Sequence, residues 1–310
     1  MKYLLTGFGI GIVVLFGWLI LLNTERVETN PAQVSTQEAR SADKIQLPQR
    51  VRGVDLAGPF SFAGENIPVE NFDVKERLDQ ELLRNAYFHR NTIMLLKRQT
   101  RFFPTIERIL VEEGVPDDLK YLAVAESGLS NATSAAGAKG VWQFMAPTGK
   151  GFGLEINGEV DERYHLEKAT RAACKYLKTY HKTYKDWRWV AAAYNMGGSN
   201  VNKWKSKQQA ETVFDLDINS ETMAYVFRIV ALKTILKDPA IFGYEISPEE
   251  HYPSLDDFKL VTISKSIPNL ADFATAQGIT YRMLKVYNPW LISGVLTVSD
   301  ENSYEVKIPV

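Results

Sequence analysis

Three kinds of patterning succeed one another along the chain. Residues 3–22 are apolar almost without interruption. A water-soluble helix needs a polar face, and this run offers none. About 20 residues suffice to cross ~30 Å of hydrocarbon. Lys2 in front supplies the positive flank that stays cytoplasmic. The pattern therefore predicts an uncleaved membrane anchor over 1–22, with the rest of the chain exported. The competing reading is a cleaved signal, whose apolar core is usually about 7–15 residues and ends at a small-x-small site. Here the run ends in Leu-Leu-Asn-Thr-Glu-Arg. Residues 23–59 are polar with few large apolar side chains. They cannot bury enough surface to offset chain entropy and predict a flexible stalk.

From Phe72 the pattern takes a helical period. Val74, Leu78, Leu82 and Ala86 recur every four residues, and Ile93, Leu96 and Thr100 continue more loosely. Pro104 stands where a new helix can begin, with Ile106, Ile109 and Leu110 on one face. Gly114 and Pro116 end it, and Asp117 and Asp118 are placed to cap the next one. Further helices are predicted over 166–184, 189–194 and 222–237, with Ser220 as a candidate N-cap of the last. No convincing alternation appears between Phe72 and Pro239, so 60–239 reads as a helical domain. After a connector, 258–263 and 304–309 alternate as strands, with short helices between them over 269–277 and 281–287. The fold class is mainly α, with a small βααβ module over 254–310.

Composition changes this picture little and narrows the function. Apolar residues make up 45% and charged residues 24% of the 310, ordinary for a globular protein. Lys plus Arg (36) nearly balance Asp plus Glu (37), so nucleic acid is not indicated as a partner. Cys174 is the single cysteine, which excludes an intrachain disulfide and a cysteine metal cage. It reads as a small buried hydrophobe rather than a reactive thiol. The four histidines lack zinc-protease spacing, and Rossmann, P-loop and nucleophile-elbow signatures are absent. No metal and no cofactor are implied.

Candidate chemistry begins with Glu126, three residues after Ala123 on the apolar side of the helix that starts at Asp117. A carboxylate there is costly unless it stays protonated or gains a partner, and desolvation gives a carboxyl the pKa a general acid needs. The other reading is a solvated Glu at a frayed helix end. The segment 134–145 sets small residues and two glycines beside Trp142, Gln143 and Phe144. Glycine lets backbone approach a ligand, aromatic faces such as that of Phe144 suit sugar C–H surfaces, and an amide both donates and accepts. A loop around a core aromatic is the alternative. Tyr194 and Asn195 end a helix before Gly197 and Gly198, while Tyr225 follows a helix start at 220. Each could equally be plain packing and capping.

Taken in order, Glu126-Ser127, the Gly-Ala-Lys-Gly-Val-Trp-Gln-Phe-Met run, Ala-Tyr-Asn-Met-Gly and Glu-Thr-Met-Ala-Tyr-Val resemble the lytic transglycosylase domain of the lysozyme superfamily. The resemblance covers about 69–238. It implies a lysozyme-like helical fold and cleavage of peptidoglycan between N-acetylmuramic acid and N-acetylglucosamine. Glu126 would be the single acid/base, with Ser127 positioning that carboxyl or the sugar. Gln143 would contact the muramyl unit, with Phe144 beside it, Tyr194 and Asn195 lining the site and Tyr225 facing the Glu. Val141, and Ala146 before Pro147, depart from the common Leu and Met-Pro-x-Thr, outside the implied chemistry. The C-terminal module looks like a degenerate lysin motif, a class that binds N-acetylglucosamine-containing glycans. Ser266-Ile-Pro-Asn-Leu stands in place of its usual Gly-Asp-Thr-Leu, and a structural cap is an equal alternative.

The family route suits a site with one carboxylate: the muramyl C6 hydroxyl attacks C1, and a 1,6-anhydro sugar is released. A hydrolytic glycosidase usually needs two carboxyl groups; no second acid occupies a comparable motif position, and distance along the chain does not by itself exclude Asp161 or Glu162. The alternatives are a goose-type-lysozyme-like muramidase and a non-catalytic cell-wall-binding protein. The partners implied are peptidoglycan glycan strands and, through residues 3–22, the inner membrane, which places the protein on the periplasmic side of a bacterial envelope.

Overall fold

The structure, a computed structural model, describes residues 52–299 and 302–310. The expected anchor over 3–22 and most of the expected stalk lie outside the described residues. Among the described residues no helix is long and apolar enough to cross a membrane. Val54 and Leu56, inside the span expected as stalk, are partly buried against the core.

Residues 60–67 fold as a short antiparallel hairpin, β1 (Phe60–Phe62) and β2 (Glu65–Ile67). Phe60, Phe62 and Ile67 are buried beneath it. Asn71 then caps α1 (Phe72–Tyr87) by accepting from Asp73 N. The four-residue spacing does what it predicts: Val74, Leu78, Leu82 and Ala86 are all buried.

The expected break at Pro104 is not observed. One helix, α2, runs from His89 to Glu112 with Pro104 inside it. A mid-helix proline removes one ladder bond and crowds the carbonyl four residues earlier. Residues 252–253, in the connector ahead of the C-terminal module, bind the turn that precedes Pro104. Tyr252 N donates to Lys97 O (2.9 Å), Thr100 Oγ1 to Tyr252 O (2.9 Å) and Arg101 Nε to Pro253 O (2.9 Å). The capping expected of Asp117 and Asp118 also differs. They open a 3-10 turn, Asp117–Leu119, ahead of α3 (Lys120–Ser127). Asp117 accepts from Lys120 Nζ (2.6 Å). Asp118 accepts from Ala63 N (2.7 Å) and Lys233 Nζ (2.6 Å), tying the hairpin to the core. Their charges find stronger partners than a helix start offers.

The rest of the helical part comprises α4 (Ala146–Gly151), α5 (Leu166–Tyr184), α6 (Trp187–Met196), α7 (Gly198–Gln208) and α8 (Ser220–Lys237). Asn219 rather than Ser220 caps α8, accepting from Thr222 N at 3.0 Å. Helix α8 is apolar on most sides, and its residues from Tyr225 to Leu236 are largely buried, as expected of a helix at the centre of a core. Helices α1, α3 and α6 pack around it.

The C-terminal pattern folds as it reads. Strands β3 (Phe258–Ile263) and β4 (Tyr304–Pro309) pair antiparallel with Phe258 opposite Pro309. Between them lie α9 (Leu270–Ala276), capped by Asn269, and α10 (Tyr281–Tyr287). Leu270, Leu284, Leu296, Val306 and Ile308 form a small core. Val160, from the helical part, is a member of that core.

Candidate active site

Helix α3 buries Leu122 and Ala123 and ends at Gly128, which adopts φ 59° as its left-handed cap. The last turn leaves Glu126 half-buried rather than frayed into solvent. Its carboxyl meets the central helix: Tyr225 Oη donates to Glu126 Oε1 at 2.5 Å. Burial raises the Glu126 pKa from 4.5 to about 7. The Tyr225 hydrogen bond opposes the rise, the charge of Glu221 adds to it, and that of Arg228 opposes it. Burial first, and the Glu126 carboxylate next, hold the Tyr225 phenol well above its ordinary value. Such a rise brings the carboxyl towards neutrality, the range in which one group can both give and take a proton.

The loop 132–145 forms a second wall. Gly140 sits at φ 79°, and a Cβ there would lie 1.8 Å from Arg163 O. Only glycine fits this crossing. Gln143 is also left-handed, at φ 49°. Its Nε2 donates to Gly140 O (2.7 Å) and Ala132 O (3.1 Å), so the amide nitrogen closes the loop and the carbonyl oxygen remains for other contacts. Trp142 is fully buried, with its indole donating to Thr170 Oγ1 at 2.9 Å. The core reading therefore holds for that aromatic. Phe144 is 4% exposed and packs on Tyr176 and Tyr194, with ring centroids 6.2 and 6.3 Å away. Contrary to expectation, its faces are taken by protein, and it supports the wall instead of presenting a ring to a sugar.

Tyr194 on α6 joins the walls. Its Oη donates to Trp142 O at 2.6 Å, and its phenol is held well above its usual value by burial and then by Glu126. Asn195 Oδ1 accepts from Thr222 Oγ1 at 2.8 Å, and Thr222 lies on the same face of α8 as Tyr225. The bonds of Ser127 run to backbone and not to the Glu126 carboxyl. Its hydroxyl donates to Ala123 O (3.1 Å) and accepts from Ser130 N (3.3 Å), closing the helix end. Asp161 and Glu162 are engaged with other partners. Asp161 is 1% exposed and gripped by Arg163 Nε (2.8 Å) and Nη2 (2.7 Å). Glu162 is buried, accepting from Glu155 N (2.8 Å) and pairing with Lys168.

The geometry thus groups Glu126, Tyr225 and Tyr194 with the Trp142–Gln143 backbone. It also adds residues not expected from sequence. Tyr176 is raised by burial, Tyr180 and, further down, Glu126. Glu221 and Arg228, paired at 2.8 Å, act on Glu126 by charge. The four-residue spacing of Tyr176, Tyr180 and Tyr184 was a visible signal for the first. Nothing local marks the other two.

Residues 105–215 match the family described as Transglycosylase SLT domain, and residues 259–310 match the Soluble lytic transglycosylase C-terminal LysM-like domain. The lytic transglycosylase and lysin-motif resemblances read from the motifs are borne out by these matches. Tyr225 lies beyond the first matched span. The chain is 28% identical to the membrane-bound lytic murein transglycosylase D of Escherichia coli K12 over 251 residues, 77% of this chain and 53% of that protein. It therefore spans about half the length of the curated relatives it matches. Two of the similar solved structures superpose at TM-scores below 0.5. A lytic transglycosylase Slt from Pseudomonas aeruginosa, crystallised as an inactive mutant, shares 21% identity over 49% of this chain and 26% of its own, at TM-score 0.37. The 70 kDa soluble lytic transglycosylase of Escherichia coli shares 16% over 72% and 47%, at 0.39.

Proposed function

We propose that this chain is a peptidoglycan lytic transglycosylase. It cleaves the β-1,4 bond between N-acetylmuramic acid and N-acetylglucosamine, with Glu126 as the single acid/base and a 1,6-anhydromuramyl product. The observation that carries the reading is the Glu126 carboxyl, raised to about 7 by burial and held by Tyr225. Protonated Glu126 gives its proton to the bridging oxygen as the C1–O bond breaks. The N-acetylglucosamine side leaves with a free 4-hydroxyl. The carboxylate, now charged in a partly dry site, is stabilised by the Tyr225 phenol. It then takes the proton of the C6 hydroxyl as O6 bonds to C1. The proton returns to Glu126 and no water is consumed. An intramolecular nucleophile has high effective molarity, so no second carboxylate is needed to activate water.

In this reading Gln143 contacts the muramyl unit through its remaining carbonyl oxygen, and Tyr194, Asn195 and Tyr225 line the site. Ser127 and Phe144 shape its walls. The enzyme works on the periplasmic side of a bacterial envelope, tethered by residues 3–22, with peptidoglycan strands as its partner. One observation favours a hydrolytic alternative: the charge of Glu221 reaches Glu126. That carboxylate is paired with Arg228 at 2.8 Å and 60% exposed, a poor position for a dry base.

The test is Glu126→Gln on purified cell-wall sacculi. Release of soluble sugar should fall by at least roughly 10²–10⁴ while sedimentation with sacculi persists. Undiminished release would overturn the assignment.

A further inference from the structure

The small βααβ module does not hang free of the helical part. It grips residues 155–167 of that part, a segment that in turn grips the Gln143 loop. Asp161 N donates to Trp290 O at 2.9 Å, and Ile292 N donates to Glu159 O at 2.9 Å. Val160 is buried in the module's own core. Thr297 N donates to Glu159 Oε2 at 2.6 Å and Tyr304 Oη to Glu155 Oε1 at 2.9 Å. His165 stacks on Trp290 with centroids 5.7 Å apart, and Lys307 pairs with Glu167.

From the same segment the contacts continue inward. The side chain of Asp161, whose backbone the module holds, fixes the Arg163 guanidinium. Arg163 Nη1 donates to Phe144 O (3.2 Å) and Gly137 O (3.1 Å), on the two arms of the loop. The Arg163 carbonyl lies against Gly140 so closely that no Cβ fits. Lys139, also of the loop, reaches Asp161 at 3.4 Å. A path of polar contacts therefore runs from the Trp290 carbonyl, through Asp161 and Arg163, to the loop that carries Gln143 and the Trp142 carbonyl, while Lys307 and Glu167 fasten the module to the start of α5 at the end of the same segment.

We infer that the C-terminal module is a brace for the substrate-facing loop, and that Asp161 and Arg163 are positioning residues through which it acts. The inference rests on the reading of that loop as a wall of the substrate site. It gives the module a task that needs no glycan contact. It also accounts for a buried ion pair beside the site that the proposed chemistry leaves unused. Loosening the module should leave the carboxyl of Glu126 in place, because helices α3 and α8 hold it. The loop alone should lose order, so that bound substrate is misplaced. A displacement of about 1 Å in a positioning element can cost on the order of 10² in rate.

The experiment uses the full chain. Lys307→Glu sets like charges against Glu167, and the exchange Lys307→Glu with Glu167→Lys restores the pair. Amide hydrogen exchange and steady-state release from sacculi are both read. In Lys307→Glu, exchange over 137–145 should rise roughly tenfold while that of α8 is unchanged. kcat should fall roughly threefold to tenfold with a smaller change in KM. The double exchange should recover both. Faster exchange over 290–309 with an unchanged loop and unchanged kcat would overturn the inference. If Lys307→Glu fails to loosen the module, or unfolds the chain, Asp161→Asn tests the inner link, since it keeps the backbone bond to Trp290 and weakens the hold on Arg163. Unchanged exchange over 137–145 in that variant would equally overturn it. The exchange readings stand even if the wild type releases no sugar, so failure of the brace and failure of the enzymatic reading are separable.

Discussion

Replacing Glu126 by Gln should make the protein more stable at alkaline pH, and by an amount the structure sets. A carboxyl whose folded-state pKa is raised binds its proton more tightly folded than unfolded. Below about 4.5 both states hold the proton and the group costs nothing. Between 4.5 and about 7 the unfolded chain releases the proton while the folded chain retains it, and stability declines as pH rises. Above about 7 the folded chain carries a charge it solvates poorly, and the loss is complete. At ~1.4 kcal/mol for each tenfold change in acidity, the rise from 4.5 to about 7 corresponds to about 3 kcal/mol. That is a sizeable part of a typical stability of 5–15 kcal/mol. The amide nearly matches the protonated acid in shape and cannot ionise, so the variant escapes the loss. Urea unfolding of wild type and Glu126→Gln at pH 4 and at pH 8 isolates the effect, because every other titrating group cancels between them. The stability difference should move by about 3 kcal/mol in favour of the variant from pH 4 to pH 8. A difference that stays constant with pH, or moves against the variant, would refute the desolvated acid.

The same site yields three further outcomes. Tyr225→Phe removes the donor that favours the carboxylate, a charged hydrogen bond worth roughly 1.5–3 kcal/mol. The alkaline limb of kcat/KM should move up by about one to two pH units with kcat reduced, and a limb that stays or moves down contradicts the contact. Glu221→Gln removes a charge that raises Glu126 and frees Arg228, which lowers it. Both act in one direction, so that limb should move to lower pH, and the reverse shift would count against the stated electrostatics. Gly140→Ala forces a Cβ onto Arg163 O and should cost roughly 3 kcal/mol or more, seen as a fall of about 6 °C or more in Tm. A Tm close to wild type would mean the loop crossing is not tight.

How much of this was legible in the sequence depends on the range of the interaction. The four-residue spacing of Val74, Leu78, Leu82 and Ala86, and the two alternating C-terminal runs, report local period, and the chain obeys them. Pro104 misled because a proline at a helix start and one inside a helix look alike locally, and the segment bound along the turn before it, Tyr252 and Pro253, is 152 residues beyond Thr100 and Arg101. Asp118 misled for a related reason: a helix start offers a carboxylate less than the ammonium of Lys233, which only the fold brings near, whereas Asp117 is taken by Lys120, three residues on. Among the site residues, Glu126 was visible as an acid on an apolar face, but its partner Tyr225 is 99 residues on. Phe144 was visible as an aromatic, but its burial was not. The Asp161–Arg163 link between module and loop has no local signature, because it depends on a tertiary crossing at Gly140.

The most direct test of the central claim is the mass of the sugar ends released from purified sacculi in water enriched in heavy oxygen. Attack by the C6 hydroxyl predicts muramyl ends that are one water lighter than hydrolysed ends and carry no label. Reducing muramyl ends bearing the heavy oxygen would show that water is the nucleophile and would contradict the account.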